Sequence, residues 1–368
     1  MSAGSRQRNA CMSPRIGWVL CCAVLLLAGC DAGERTGMEV TVAGTAAART
    51  AGEEQWLMFQ RAVEASDEDI TMRMLIYGQL GSEEALVSGL RRGRVQFANL
   101  SAMAASTVLP ELALLYAPYL FDSYAEADYV FDTYLTPVFR ELLAERGLHL
   151  VTWNEIGFHH VYAKRPLMTP AQMRGVRFRV SASPASQLFA RALGADVISV
   201  GFGDIVPSLQ TGLMEAGENG VPLYARTGIA GEAPHLMLTG HSLGMSVIVA
   251  DLRWWNGLTD AQRELFGTAF PDISVTRRMI REEIDRDLAI SEAELGFVSH
   301  ELTVEQRALW VEATRGTHDD IIRTLGGRSR EIYELIEQGR ASWQARGAAA
   351  YRSMPVVAEL AVDFLEDL

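Results

Sequence analysis

Cysteine is scarce in this chain, and what there is lies near the start. The 368 residues contain four cysteines, all within the first thirty: Cys11, Cys21, Cys22 and Cys30. The rest of the sequence therefore has no disulfide and no cysteine-based metal or redox site. Its fold must be held by its hydrophobic core alone, and more than 300 residues suffice for that and favour two lobes.

Positive charge is also in short supply. The net charge is −13, and residues 1–29 contribute three arginines and no acidic residue. The remainder has 30 basic and 46 acidic residues, a net charge near −16. Such an acidic body argues against nucleic-acid binding and against polybasic docking to a membrane. It leaves an anionic ligand possible, because a local arginine can oppose the overall sign.

Long hydrophobic runs are represented by Ile16–Leu27, which is too short to span a membrane comfortably. With the basic residues before it, this run predicts a signal peptide over 1–29. The following Leu27-Ala28-Gly29-Cys30 resembles a bacterial lipobox, so we expect Cys30 to be lipidated and 30–37 to form a tether. A plain secretory signal and a short anchor helix remain alternatives. Asp31 resembles a signal for retention at the inner membrane.

The stretch 175–219 is the most informative part of the remaining sequence. Val176, Phe178 and Val180 alternate with Arg177 and Arg179, the pattern of a half-buried strand. A guanidinium near the end of such a strand presents a planar fork to a carboxylate. The segment 209–219 is polar and glycine-rich and ends in an amide side chain. Together the two segments predict an anion clamp in an α/β scaffold.

Hydrophobic periodicity predicts a βαβαβ unit near the start and a long helix near the end. The predicted strands are 38–42, 70–76, 95–100 and 149–153, and the predicted helices are 53–65, 83–92, 124–146 and 273–295. The last helix is long enough to cross two lobes. We expect its charged side, with Arg277, Arg281, Glu282 and Asp285, to face outward and Met279, Ile280, Ile284 and Leu288 to face inward. The predicted fold class is α/β.

Six motifs in order resemble the solute-binding proteins of TRAP transporters, the DctP-like family. They are 77–81 (YGQLG), 89–96 (GLRRGRVQ), 116–121 (YAPYLF), 166–179 (PLMTPAQMRGVRFR), 192–195 (ALGA) and 209–212 (LQTG). The resemblance covers about 38–339. It implies a two-lobed periplasmic-binding-protein fold with a cleft and a long helix spanning both lobes. The implied boundaries are 38–156 with 245–284 for lobe 1, 157–244 with 285–340 for lobe 2, and 341–368 for an accessory tail.

The same resemblance implies a set of site residues. Arg179 corresponds to the arginine that binds the ligand carboxylate, and Asn219 to a binding asparagine, although Gly220 replaces the usual proline. Phe202 is expected either to form an apolar wall on the ligand or to pack in the core. From the first lobe, Glu83, Glu84 and Ser101 are expected to line the cleft.

One position departs from the family pattern. The sequence Gly157-Phe158-His159-His160 stands where the family usually has Gly-Phe-Arg. An imidazole that is neutral carries no charge, and one that titrates makes binding depend on pH. His159 is therefore expected either to contact the ligand or to lie in the interface between lobes, and a ligand held by two fixed cations is less expected.

A competing interpretation comes from the segment 240–244. It fits the Gly-x-Ser-x-Gly pattern of a nucleophile elbow, with Ser242 as the nucleophile of a lipoprotein esterase. The elbow requires a strand, a sharp turn and a helix, whereas residues 245–250 are β-branched and typical of a strand. No cluster of histidines with metal-ligand spacing is present, and no cofactor motif follows the first strand.

Taken with the resemblance, the sequence predicts a binding protein rather than an enzyme. We expect it to capture a small organic acid by cleft closure and to deliver the acid to the integral membrane subunits of a TRAP-type transporter. A receptor subunit that senses a ligand for a signalling system is the alternative with the same binding chemistry. The expected location is the periplasmic face of the inner membrane, held there by a lipid anchor, with no metal, cofactor or nucleic acid.

Overall fold

The computed structural model describes residues 37–346. The predicted signal peptide, the lipidation at Cys30, nearly all of the tether, and the tail from 347 onward lie outside the described residues. Between residues 37 and 346, no helix is both long and apolar enough to cross a membrane.

The centre of the molecule is one mixed sheet of nine strands. Their order is β2-β1-β3-β8-β4-β7-β5-β6, and β9 pairs with β8. The strands are β1 (Met38–Ala43), β2 (Ile70–Leu75), β3 (Phe97–Ser101), β4 (Leu148–Ala163), β5 (Arg177–Val180), β6 (Asp196–Ser199), β7 (Ala216–Gly220), β8 (His235–Asp251) and β9 (Val298–His300).

Fifteen α-helical segments surround the sheet in the described part of the chain. They are α1 (Ala51–Glu64), α2 (Glu83–Arg91), α3 (Ala102–Ala105), α4 (Tyr124–Val130), α5 (Thr136–Glu145), α6 (Pro184–Ala192), α7 (Ile205–Gln210), α8 (Val221–Arg226), α9 (Ile229–Glu232), α10 (Leu252–Gly257), α11 (Asp260–Ala269), α12 (Ile273–Ala289), α13 (Val304–Ala313), α14 (Thr317–Leu325) and α15 (Ser329–Arg346). The prediction of an α/β fold is confirmed.

The predicted βαβαβ unit forms β1, α1, β2, α2 and β3. Both β2 and β3 pair with β1 in parallel. The Thr50 hydroxyl accepts a hydrogen bond from the Glu53 backbone nitrogen at 3.3 Å, so α1 begins before the predicted residue 53. Trp56, Phe59 and Val63 form its buried stripe.

The two central strands, β4 and β8, are much longer than the sequence predicts. The prediction gave a strand over 149–153, whereas β4 has 16 residues. Its partner β8 has 17 residues and runs through the segment 240–244 without a turn to a helix. The two strands pair antiparallel, with three register shifts along their length. They therefore connect a first group of strands (β1, β2 and β3) to a second group (β5, β6 and β7).

The directions of the strands bring two sets of strand ends together. Strand β3 pairs antiparallel with the end of β8, and β7 pairs antiparallel with the end of β4. Because β4 and β8 are themselves antiparallel, β3 and β7 run in opposite directions. The carboxyl end of each strand therefore points toward the middle of the sheet. Met103 follows the end of β3, and Ser181 follows the end of β5. The Ser181 hydroxyl oxygen lies 2.8 Å from the Met103 sulfur, so these two strand ends lie close together. Ligands bind at such converging strand ends in α/β folds.

Helix α12 corrects one prediction and supports another. It ends at Ala289, and a π-helical turn follows at Ser291–Leu295. It packs on β4, on α1 and on α8, so it does lie across both groups of strands. Arg277, however, is buried and paired with Asp128 and Asp132, and Arg281 pairs with Asp128 and Glu155. The prediction that these arginines face outward was wrong, because carboxylates from α4, β4 and the π-helical turn Phe131–Leu135 neutralise them.

The predicted helix over 124–146 is divided into α4, that π-helical turn and α5. Against these segments packs α15, with Ile332, Ile336 and Trp343 in the same core cluster as Val130 and Phe139. The residues of α15 up to Arg346 thus pack against α4, the π-helical turn and α5. The predicted lobe and tail boundaries stay a prediction.

Candidate functional site

Arg179 is one of two buried arginines in residues 37–346, the other being Arg277. Its Nε donates a hydrogen bond to the Val200 carbonyl at 3.2 Å. The two terminal nitrogens of its guanidinium make no ion pair or hydrogen bond with another described residue. The group is thus held by one backbone contact, while the edge with its two terminal nitrogens has no partner among the described residues. A buried charge normally has a partner, so this edge is a candidate ligand contact.

The local sequence explains why Arg179 faces this way. Phe178 and Val180 lie in a buried cluster on one face of β5, as the alternation predicts. Arg177 and Arg179 therefore lie on the other face. Arg177, nearer the start of the strand, is exposed and pairs with Glu215 at 3.0 Å. The two arginines share a sheet face, but Arg177 lies at the exposed start of β5, whereas Arg179 lies further along the strand and is buried.

Asn219 lies on the same sheet face as Arg179. Phe178 pairs with Ala216, so the alternation along β7 places Asn219 with the arginines. Asn219 is buried, and its Oδ1 accepts a hydrogen bond from the Gly220 backbone nitrogen at 3.0 Å. A Cβ at residue 220 would lie 2.9 Å from the Ile156 carbonyl oxygen. The Ile156 carbonyl oxygen approaches the backbone here so closely that glycine suits residue 220, where the family pattern has proline.

A buried hydrogen-bonded chain occupies the opposite face of β7. Glu218 bonds to the Ser186 hydroxyl and, at 2.7 Å, to Nε2 of His241. Nδ1 of His241 lies 2.8 Å from the Thr239 hydroxyl. Burial alone would raise the pKa of Glu218, but the contacts with His241, His159 and Ser186 lower it to about 2. Glu218 is therefore an ionised carboxylate next to the site.

Sequence reasoning missed Glu218 and His241. Glu218 directly precedes Asn219, and His241 lies within the supposed nucleophile motif. One sequence signal could have indicated them. Each is a titratable residue within a stretch typical of a buried strand, Glu218 in β7 and His241 in β8. Their pairing across 23 positions is invisible in the sequence itself.

His159 is buried, and neither ring nitrogen has a hydrogen-bond partner in the described part of the chain. Its ring packs edge-on against Tyr116, with the centroids 5.4 Å apart. A Cβ at residue 244 would lie 2.7 Å from Nε2, so Gly244 makes room for the imidazole. Burial lowers the pKa of His159 to about 4, which leaves the ring neutral at neutral pH.

Glu83 and Ser101 are brought together, as expected for two residues of one lining. The Glu83 carboxylate accepts hydrogen bonds from the Ser101 backbone nitrogen at 2.6 Å and from its hydroxyl at 2.8 Å. Burial raises the pKa of Glu83. The pKa of Tyr116 is raised by burial and then by the charges of Glu83 and Glu218. Glu84 is exposed beside them.

Phe202 lies in a 3₁₀ turn after β6 and is 42% exposed. The interpretation that it packs in the core was wrong. An exposed aromatic ring beyond the carboxyl end of a strand is available to a ligand, and that role stays a prediction.

The nucleophile-elbow interpretation of Ser242 was wrong. Residues 240–244 lie in the middle of β8, so no helix follows a sharp turn at the serine. The Ser242 side chain is buried, and its hydroxyl donates a hydrogen bond to the Tyr116 carbonyl at 2.9 Å. The hydroxyl thus joins β8 to the segment Pro110–Tyr116. Across residues 37–346, no three metal-ligating side chains lie together.

Fold and site together define a class. The fold has two long shared strands and strand ends that converge from both sides, and Arg179 is buried without an acidic partner in residues 37–346. The chain belongs to the bacterial extracellular solute-binding protein family 7 (DctP), whose model matches residues 42–324.

Individual relatives agree with this placement. The ectoine-binding periplasmic protein TeaA of Halomonas elongata is 24% identical over 204 residues, which is 54% of this chain and 59% of TeaA. The C4-dicarboxylate-binding periplasmic protein DctP of Vibrio cholerae is 23% identical over 296 residues, 78% of this chain and 85% of that protein. The match with TeaA thus spans about three fifths of its length.

A solved structure supports the fold. The TRAP periplasmic solute-binding protein of Shewanella oneidensis with bound succinate has a TM-score of 0.77 to this protein and 18% sequence identity. The similarity covers 83% of this chain and 99% of the Shewanella chain. The two-lobed family fold predicted from the sequence is confirmed over the 83% of the chain that this similarity covers.

Proposed function

We propose that this protein captures a small organic acid in the cleft between its strand ends and delivers it to a TRAP-type transporter. The observation that carries the proposal is Arg179, a buried guanidinium whose terminal nitrogens have no protein partner in the described chain. A planar fork held in a water-poor site binds one carboxylate through two parallel hydrogen bonds. Ectoine, C4-dicarboxylates and succinate, the ligands in the names of the similar proteins, all carry a carboxylate.

The remaining predicted site residues complete the proposed contacts. Asn219 lies on the face of Arg179 and offers its amide nitrogen to the ligand. Phe202 supplies an exposed ring at the rim, and His159 an imidazole without a protein partner. From the other side, Glu83 and Ser101 face the ligand as a hydrogen-bonded pair.

Closure of two lobes would bury the ligand and create the surface that a membrane partner recognises. Helix α12 packs on elements of both groups of strands, and β4 and β8 connect them, which supports bending about these elements. A ligand shifts the open and closed populations only by its difference in affinity for the two states. Delivery to the small and large integral subunits of a TRAP transporter is the family role that fits this behaviour.

We further propose that the protein is exported, processed and anchored by a lipid on Cys30, which places it at the periplasmic face of the inner membrane. The proposal is supported by the lipobox-like sequence of residues 27–30. With Cys30→Ala, we expect the protein to leave the membrane fraction and to lose the mass of the acyl modification. A wild-type protein that is soluble and unacylated would contradict the anchor.

The binding proposal is tested by the melting temperature of the purified protein in the presence of a set of carboxylic acids. We expect one or a few acids to raise it, because a ligand that binds the folded state stabilises it by mass action. Arg179→Ala should abolish this rise while the protein still folds.

Arg177→Ala is the matched control, because Arg177 lies on the same strand and sheet face but is exposed and paired with Glu215. It should keep the full ligand-induced rise. If both variants responded to the acids like the wild type, Arg179 would not be the carboxylate contact.

A further inference from the structure

Tyr162 carries another polar group that has no partner within the described protein. The residue is fully buried on β4, and its ring stacks on Tyr224 with the centroids 5.6 Å apart. Its hydroxyl makes no hydrogen bond to any described residue. A buried hydroxyl without a partner costs free energy and is uncommon in native proteins.

The hydroxyl belongs to the same region as Arg179. Tyr162 pairs with Gly217 across β4 and β7, which places it on the face shared by Arg179 and Asn219. A Cβ at residue 217 would collide with the phenol, so glycine makes room for it. Burial raises the pKa of Tyr162, and the charge of Arg179 acts on it in the opposite direction. The phenol is therefore a neutral hydrogen-bonding group on the same sheet face as the guanidinium.

The charges around Arg179 limit what else the site can bind. The neighbouring imidazole of His159 is neutral at neutral pH, and the ionised Glu218 is held by His241. Glu83 on the opposite side has no cationic partner in residues 37–346. Besides Arg179, the only buried arginine or lysine in residues 37–346 is Arg277, which is paired with Asp128 and Asp132. A second ligand carboxylate would therefore be buried without a second fixed cation, which is unfavourable.

We propose that the Tyr162 hydroxyl is an uncharged contact of the ligand site, and that the ligand is an acid with one carboxylate and a nearby hydroxyl or carbonyl oxygen, rather than a dicarboxylate. The inference rests on the proposed function, because Arg179 must hold the carboxylate. It adds a recognition residue and narrows the ligand to hydroxy- or oxo-monocarboxylates. The hydroxyl of Tyr162 can donate to either kind of ligand oxygen.

Two pairs of acids test the ligand class by calorimetric titration of the wild-type protein. Lactate is compared with tartronate, and gluconate with glucarate, so that each pair shares its chain length and differs by a second carboxylate. We expect the monocarboxylate of the pair that binds to do so at least tenfold more tightly. Equal or tighter binding of the dicarboxylate would overturn the inference and leave the proposed function standing.

Tyr162→Phe tests the residue itself. Removing an unpaired buried hydroxyl should leave the stability of the free protein unchanged or slightly higher. If the hydroxyl contacts the ligand, the affinity for the hydroxylated monocarboxylate should fall about tenfold, the effect of one lost hydrogen bond in a dry site. Unchanged affinity would show that the hydroxyl plays no part in binding.

Tyr224→Phe is the matched control. Tyr224 stacks on Tyr162, but its hydroxyl donates to the Ala233 carbonyl at 2.8 Å. This variant should lose stability and keep its ligand affinity, the reverse of Tyr162→Phe. If none of the four acids, nor any other carboxylate tested, bound the wild type, the proposed function itself would fail, and this inference with it.

Discussion

Two buried arginines with opposite surroundings distinguish the framework of this molecule from its site. Arg277 on α12 pairs with Asp128 at 3.0 Å and with Asp132 at 2.7 Å. Burial by itself would lower its pKa, but these carboxylates outweigh that effect and raise it. Arg179 on β5 is buried to a similar degree and has a single backbone acceptor.

The difference lies in which buried arginine has acidic partners within the protein. Around Arg277, the partners belong to the chain, so the group fixes α12 against α4 and against the π-helical turn Phe131–Leu135. Around Arg179, residues 37–346 supply no acidic partner, although 46 acidic residues are present in the sequence. This contrast supports the proposal that Arg179 receives a carboxylate from outside the protein.

Removing the framework arginine should have the largest effect on stability. We expect Arg277→Ala to lower the free energy of unfolding by about 3 to 5 kcal/mol, because Asp128 would lose a buried partner. Urea denaturation measures this loss. Arg278→Ala, at an exposed neighbour with a loose pair at 3.9 Å, should change the free energy by less than about 0.5 kcal/mol. Equal losses of stability from the two substitutions would contradict the structural role given to Arg277.

Changing the site arginine should affect binding and spare stability. We expect Arg179→Ala to weaken carboxylate binding by about 100-fold and Arg179→Lys by about tenfold, because lysine keeps the charge and loses the planar fork. Titration calorimetry gives both values. Neither variant should be less stable than the wild type without ligand, since no protein acid loses its partner. A loss as large as that of Arg277→Ala would place Arg179 in the framework.

Acidic pH should weaken the protein through the imidazole near the site. The pKa of His159 is about 4 in the folded state and 6.5 in an exposed histidine, so the unfolded chain binds more protons between these values. The stability from neutral His159 is complete above pH 6.5 and falls as the pH drops toward 4. We expect His159→Gln to remove about 1 to 2 kcal/mol of this fall.

The measurement for this prediction is urea denaturation at pH 7.5 and pH 4.5. His160 shares the same trend, since its pKa is lowered to about 3 by burial, so part of the fall should persist in His159→Gln. An identical pH dependence in wild type and variant would contradict the neutral imidazole.

Ser242→Ala should have the smallest effect. Losing the hydrogen bond to the Tyr116 carbonyl should cost about 1 kcal/mol of stability and leave ligand affinity unchanged. Neither protein is expected to hydrolyse a p-nitrophenyl ester. Ester turnover in the wild type that disappears in the variant would restore the esterase interpretation.

The sequence predicted the elements in which local pattern and tertiary environment agree. Alternation in 175–180 predicted the strand and the face of Arg179, and periodicity predicted β1 to β3 with their helices. The first half of β4 was found for the same reason. These strands keep apolar residues on a buried face, so their pattern survives in the linear sequence.

The parts that escaped prediction depend on contacts between distant residues. From Glu155 onward, β4 carries Glu155 and His159, and the middle of β8 carries His241. These polar residues break the hydrophobic pattern, and neighbouring strands or α12 accommodate them. The glycines in 240–244 suggested a turn, whereas Gly244 makes room for His159. Likewise, only folding reveals that Arg277 meets Asp132, 145 positions away.

A crystal structure of the mature protein with a bound organic acid tests the central claim most directly. The account predicts one ligand carboxylate with its two oxygens about 2.7 to 2.9 Å from the terminal nitrogens of Arg179. An acid bound elsewhere in the molecule, with the guanidinium of Arg179 turned to solvent or paired with a protein carboxylate, would contradict it.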